Sequence, residues 1–456
     1  MGKVPIEIIS RVQYMSETEQ QDKQKGMFWF IQGNVKVLMI CRVLWSWSTS
    51  IVYPYFSLYV LALGGTSKEV GLISSLGILA GMFLYPVGGF LADKTGRVKL
   101  IGYSTVFYAL AHIFFVLAPT WQWLAVGQFL SQFLLFYVPA MNALSSDSLP
   151  PNVRGKGFAI MMAVPGAIRI LSPYIGGLLI EYFQKTMKVE EGIALIRAVK
   201  IAWFIAFATG LLVAYLRLRY LKETIEADES GGYGFRDFFR LLKDSYQSIF
   251  ESIGWMDRSL RTIVVIEVVA AFFVALSAPF YVVFASEVVG ISAPEWGNVN
   301  LYSGIIALVF ALPMGQIVDY WGVKRSVLIG MLVAPFTIFL YQYASSYMHV
   351  IAVITIIALC NKIMIPGFST LIANMIPRER RGRLYSLLGE RGVSISWGNF
   401  WGGGFLIFPA AAAGAWTGGQ IYAINPNLVW QITSVALLLS AFLVIFLVKE
   451  PETAQI

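Results

Sequence analysis

The stretch GFLADKTGRVK, Gly89 to Lys99, recurs in weaker form as GQIVDYWGVKR, Gly315 to Arg325. Gly89, Asp93 and Gly96 of the first copy are matched by Gly315, Asp319 and Gly322 of the second, each pair 226 residues apart. In both copies an apolar run of helix length ends at the aspartate and another begins past the basic residues, so each copy reads as a tight turn between two membrane helices. An interval close to half of the 456-residue chain makes the sequence a duplication.

Other anchors keep nearly the same interval. Pro54-Tyr55-Phe56 is answered by Pro279-Phe280-Tyr281 after 225 residues, and Pro86 by Pro313 and Pro139 by Pro366 after 227. Pro150, Arg154 and Gly155 reappear as Pro377, Arg381 and Gly382, and Lys222-Glu223 as Lys449-Glu450, again after 227. Parallel six-helix repeats of this kind are a membrane architecture in their own right.

With 57% hydrophobic and only 13% charged residues, and a mean hydropathy of +0.68, the chain carries more apolar surface than one soluble core can hide. Apolar windows of bilayer length, about 20 residues, begin near 36, 69, 100, 121, 157, 200, 261, 296, 326, 349, 384 and 427. The expected fold is an all-α membrane protein of twelve transmembrane helices in two pseudo-symmetric six-helix bundles, 33–221 and 259–449. An arm (1–32), a linker with an amphipathic helix (222–258) and a tail (450–456) flank them. The polar first 25 residues do not read as a cleavable leader, and Cys41 and Cys360, in different halves, imply no disulfide framework.

The net charge of +8 follows from topology. With the N-terminus inside, 25 of the 34 Lys and Arg residues fall on the cytoplasmic side and 5 outside, as the orientation rule requires. Both termini and both glycine turns are then expected in the cytoplasm, in the cell membrane. The remaining four basic groups, Arg42, Arg169, Lys362 and Arg391, lie within spans, as do the acids Glu267 and Glu390; spans 6, 9 and 12 are expected to hold no charge and span 3 only His112. Charge at that depth costs several kcal/mol and marks a functional site. Arg169 lies thirteen residues past Lys156 and Lys362 thirteen past His349, which at 1.5 Å per residue puts both about 20 Å in, near the midplane. Four bases against two acids favour an anion such as a carboxylate or phosphate. His112, with no second ligand near it, reads as a packing residue.

With GFLADKTGRVK as a loop between spans 2 and 3, DSLPPNVRGKG after span 4 and LVKEPET at the end of span 12, the chain resembles the major facilitator superfamily of secondary transporters over essentially its whole length. That resemblance implies two bundles around a central cavity opening alternately to each side, with spans 3, 6, 9 and 12 on the outside. It implies that Asp93 approaches the start of span 11 and that Arg97 pairs with Asp147. In the second copy Val323 and Asn374 stand at those positions, so the clasp is expected in the first half alone. SPYIGG, Ser172 to Gly177, partly resembles the family's antiporter motif, and Gln128 stands where drug exporters often carry arginine.

The expected function is secondary active transport of an organic anion or anionic amphiphile by alternating access. Arg169, Lys362, Arg42 and Arg391 would bind substrate, Glu267 and Glu390 would couple protons, and Gly89, Asp93, Gly96, Arg97, Asp147, Arg154 and Asp319 would gate. The alternative is a proton-coupled multidrug exporter of hydrophobic or cationic compounds. Arg42 and Glu267, at repeat-equivalent positions of opposite charge, are further read as a pair made when the cytoplasmic half of the cavity closes. With two histidines and no metal-ligand spacing or phosphate cradle, an enzyme is not expected, nor a cofactor, metal or nucleic-acid partner. The partners foreseen are a small molecule, protons and the lipid bilayer, the protein acting as a monomer.

Overall fold

The computed structural model describes residues 28–224, 240, 243, 254, 256, 258–376 and 404–448, apart from the side chains of 83–95 and 319. The arm, most of the linker, the start of span 11 with Glu390 and Arg391, and the side chains of Asp93 and Asp319 therefore lie outside the described residues. The N-terminal half contains α1 (Gly33–Ala62), α2 (Ser67–Thr95), α3 (Arg97–Leu117), α4 (Trp121–Asp147), α5 (Pro151–Met187) and α6 (Glu191–Tyr220). The C-terminal half contains α7 (Arg258–Glu287), α8 (Ala293–Val309 continuing as Ala311–Trp321), α9 (Val323–Tyr341), α10 (Tyr347–Met375), α11 (Ile407–Ile424) and α12 (Pro426–Leu447). Among the described residues nine of these are long and apolar enough to cross a membrane, and α8, bent by 48° at its break, makes a tenth. Large apolar side chains such as Phe204, Val309, Phe336 and Phe446 are exposed, as a lipid-facing surface requires.

The duplication is visible in backbone geometry. Gly96 and Gly322 end α2 and α8 with φ of 85° and 86°, and Gly64 and Gly290, also 226 residues apart, take 83° and 81°. A side chain at such φ is strained, so glycine is what lets each turn close. Capping boxes match too: Thr66 with Glu69 opens α2 and Ser292 with Glu295 opens α8. The Pro54 and Pro279 sites are 3-10 turns, Tyr53–Tyr55 and Ala278–Phe280, which interrupt α1 and α7. In each half a buried tryptophan from the sixth helix packs on an aromatic of the third: Trp203 stacks on Phe115 at 4.2 Å and Trp430 meets Tyr341 edge-on at 4.8 Å.

Within the first half α6 packs on α1, α3 and α5, and α2 on α4; within the second α9 packs on α10 and α12, α7 on α11 and α12, and α8 on α10. The halves meet along two seams, α2 with α11 and α5 with α8. Both seams are built from small residues, which is how helices approach closely where hydrocarbon supplies no hydrophobic drive.

Candidate functional site

At the glycine-turn end of the first half four helices are tied together. Arg97 Nη1 forms an ion pair with Asp147 Oδ2 and donates to Thr224 Oγ1 at 3.2 Å, while Val98 N–H donates to Glu223 Oε2 at 2.9 Å. Asn34 closes the ring from α1, donating through Nδ2 to Lys222 O at 2.8 Å and to Ser148 Oγ at 3.1 Å and accepting from Lys222 N–H at 2.7 Å. In the second half, among the described residues, Lys324 Nζ donates to Val448 O at 2.5 Å and Ile445 O at 3.5 Å, carbonyls at the end of α12. Arg154, at the start of α5, has a buried Nε with no hydrogen-bond partner among the described residues.

At the opposite end the seam between α5 and α8 is tight. A Cβ added to Gly177 would stand 3.0 Å from Pro294 O, and one on Gly297 would stand 2.8 Å from Pro173 O. Tyr55, 1% exposed, lies over both glycines with its hydroxyl donating to Pro173 O. Three hydrogen bonds cross between the halves there: Ser57 Oγ–H to Pro279 O at 2.8 Å, Trp296 Nε1–H to Pro54 O at 3.1 Å, and Ala293 N–H to Glu191 Oε1 at 2.6 Å. The interrupted helices α1 and α7 thus each supply a carbonyl, Pro54 O and Pro279 O, to the other half. Toward the glycine-turn end, Gly155 and Gly166 of α5 and Gly315 of α8 have nothing within 4 Å of an added Cβ. Along this seam the two halves are joined at one end and apart at the other.

The intramembrane charges divide into two groups. Arg169 of α5 and Lys362 of α10 are exposed and stand within electrostatic range of each other, so opposite halves bring two positive charges to one space. Arg42 of α1 instead turns into its own half, where Nη2 reaches Asn142 Oδ1 at 3.5 Å and the charge of Arg217 is felt. Glu267 of α7 is 2% exposed, and neither carboxylate oxygen has a hydrogen-bond partner among the described residues. Arg42 and Glu267 are not joined in this conformation.

Span 6 is not free of charge, contrary to the sequence reading. Arg217, counted there with the cytoplasmic loop, lies inside α6 and is 3% exposed. Its guanidinium donates to Thr105 Oγ1 at 2.6 Å and sits 5.3 Å over the Tyr137 ring. Its position within twenty residues of the span's predicted start was the available signal. His112 is a packing residue, fully buried among Trp45, Tyr108, Phe115 and Trp203 with centroids 5.0 to 5.9 Å away. Among the described residues no three His, Cys, Asp or Glu side chains form a metal-ligand set.

Comparison with known proteins supplies the context. The chain is 21% identical over 334 residues to the quinolone resistance protein NorA of Staphylococcus aureus, covering 73% of this chain and 79% of that one. It is 23% identical over 351 residues to a multi-drug resistance efflux pump PmrA homolog of Lactococcus lactis, covering 74% and 79%. Among solved structures, the nucleoside transporter NupG superposes with a TM-score of 0.64 at 13% identity, covering 91% of this chain and 99% of that one. The human organic anion transporter MFSD10 gives 0.61 at 16%, covering 90% and 98%. The model of the Major Facilitator Superfamily matches residues 38–260 and 263–456. With its paired glycine turns, its clasped helix ends and a family match over nearly its full length, this chain belongs to the Major Facilitator Superfamily of membrane transporters.

Proposed function

We propose that the protein is a secondary active transporter that moves an organic anion or anionic amphiphile by alternating access, with protons as the coupling ion. The observation that carries this reading is the approach of Arg169 and Lys362 from opposite halves. Two like charges near the bilayer midplane repel and are costly to desolvate, and an anion between them relieves both terms. Because one base belongs to each half, the anion also favours the arrangement in which the halves close around it.

Orientation follows from charge: the glycine-turn end, with Arg97, Lys99, Lys324 and Arg325, is cytoplasmic together with both termini, and the membrane is the cell membrane. The conformation described is then inward-facing along the α5–α8 seam. Glu267 supplies the proton site, since an ionised carboxylate buried without a partner would be uncompensated in hydrocarbon. Arg391, Glu390 and Arg42 serve the same cavity, and the segments 33–221 and 259–449 move as the two bodies. A second reading, export of hydrophobic or cationic compounds, is favoured by the resistance functions named for the two bacterial relatives.

Purified protein in proteoliposomes decides between them. With an imposed proton gradient, anionic aryl carboxylates should move and permanently cationic dyes should not, and Lys362→Ala should abolish the anion flux. Cation flux that survives Lys362→Ala would overturn the anion reading and leave the exporter reading standing.

A further inference from the structure

Arg217 carries a charge that no substrate can touch. It is 3% exposed, and an arginine inside a protein keeps its proton, so it cannot escape the cost of burial by becoming neutral. Its neighbours are Thr105 Oγ1 at 2.6 Å, Met141 Sδ at 3.3 Å and the face of the Tyr137 ring at 5.3 Å. No carboxylate pairs with it among the described residues. Packing alone is served at lower cost by an apolar side chain of similar volume.

The charged group nearest in the fold is a second cation. Arg217 Nη2 lies against Met141 of α4, and Arg42 Nη2 reaches Oδ1 of the next residue, Asn142, at 3.5 Å. Beside them Cys41 Sγ stands 4.0 Å from Val213 O, one turn before Arg217, so α1 and α6 are packed together at this level. The two guanidiniums are within electrostatic range, and Arg42 has no acid partner among the described residues either. Asn142 is exposed. An amide left bare inside a membrane helix belongs on a water-filled space rather than on lipid, so Arg42 is held at the cavity wall with Arg217 behind it.

We infer that Arg217 is a positioning residue for the anion: its fixed charge, enclosed by Thr105, Met141 and Tyr137, drives Arg42 out of its own half and onto Asn142, where that guanidinium meets the carboxylate or phosphate of an entering substrate. The inference rests on the transport reading, in which Arg169 and Lys362 hold the anion near the midplane; Arg42 receives it nearer the cytoplasm. Without the charge at 217, Arg42 folds back toward Thr105 and is lost to the cavity.

The test uses indole-3-acetate and its uncharged amide, indole-3-acetamide, with affinities measured by calorimetry on the purified full-length protein. Arg217→Gln, which keeps a donor for Thr105, should weaken the acid about three- to tenfold and the amide less than about twofold. Arg217→Lys, which keeps the charge, should hold the acid within about twofold of native. Arg42→Ala should cost the acid far less in the Arg217→Gln background than in native protein. Asn142→Leu, at an exposed position where folding is not at stake, removes the tether from the other side and should also weaken the acid alone. Equal losses for acid and amide, additive losses in the cycle, or native acid affinity in Asn142→Leu would overturn the inference. If native protein fails to bind the acid, or Arg169→Ala and Lys362→Ala leave its affinity unchanged, the anion reading falls and this inference with it. If those two variants weaken the acid and Arg217→Gln does not, the inference alone falls.

Discussion

Gly297 of α8 meets Gly177 of α5 across the seam between the halves, so that a Cβ added to Gly297 would stand 3.4 Å from the Gly177 Cα. The atoms nearest to it otherwise include backbone, Pro173 O at 2.8 Å, and backbone yields less readily than the tip of a side chain. Gly297→Leu should therefore hold this end apart. Expected is a fall in transport of more than tenfold with little change in folded yield, and labelling of a cysteine placed near Tyr55 by an impermeant thiol reagent. Native flux in that variant would show that the glycine contact is not part of the cycle.

The clasp at the other end should set rates rather than affinity. Arg97 and Asp147 form a partly exposed pair, worth about 0.2–1 kcal/mol alone, but Thr224 and Glu223 extend it across three helix ends. Arg97→Ala and Asp147→Asn should each slow exchange several-fold, and the double variant little more than either single one. Substrate affinity should stay within about twofold. Additive losses in a double-mutant cycle would mean that the two residues act independently.

Substrate charge should depend on the pair from opposite halves. Arg169→Ala and Lys362→Ala are each expected to weaken binding of an anionic aryl carboxylate by more than tenfold, about 1.4 kcal/mol, and binding of its uncharged amide by much less. Lys362→Arg should retain most of the affinity. Equal losses for acid and amide would point to a structural role.

Two glycines of the second repeat predict opposite signs of stability change. Gly322 has φ 86° and ψ 154°, a region close to glycine-only, so Gly322→Ala should cost about 1–3 kcal/mol. Gly315 sits inside a helix with open space around it, where Ala gains up to about 1 kcal/mol of helix propensity. Thermal unfolding of the two variants in detergent should move in opposite directions.

Arg42 and Glu267 are apart here, the first turned toward Asn142 and the second buried. If they meet when the cytoplasmic half closes, Arg42→Glu and Glu267→Arg should each impair transport, and the double swap should recover part of it. Failure to recover with all three variants folded would assign each residue to its own half alone.

Much of the fold was legible because duplication repeats backbone requirements. Gly96 and Gly322 must both take positive φ, and the turns at Pro54 and Pro279 must both interrupt a helix, so residue type and spacing betray them. The contact between α5 and α8 was not legible: Gly177, Gly297 and Gly166 read alike in sequence, although the first two face backbone and the third faces open space. Arg217 was misplaced because a charge near a span's end looks like loop until the helix is seen to continue to Tyr220. The absence of an Arg97 equivalent at Val323 was plain, but not that Lys324, one residue on, would reach the carbonyls closing α12.

The glycine contact has a mechanical consequence. From Gly177 to Arg154 along α5 is about 34 Å at 1.5 Å per residue, so a rocking of roughly 10° about the contact would sweep the far end through about 6 Å while the glycines themselves scarcely move. A fulcrum with no side chains lets two rods roll on each other without repacking, and the long arm turns a small local rotation into a passage wide enough for a ring-bearing solute.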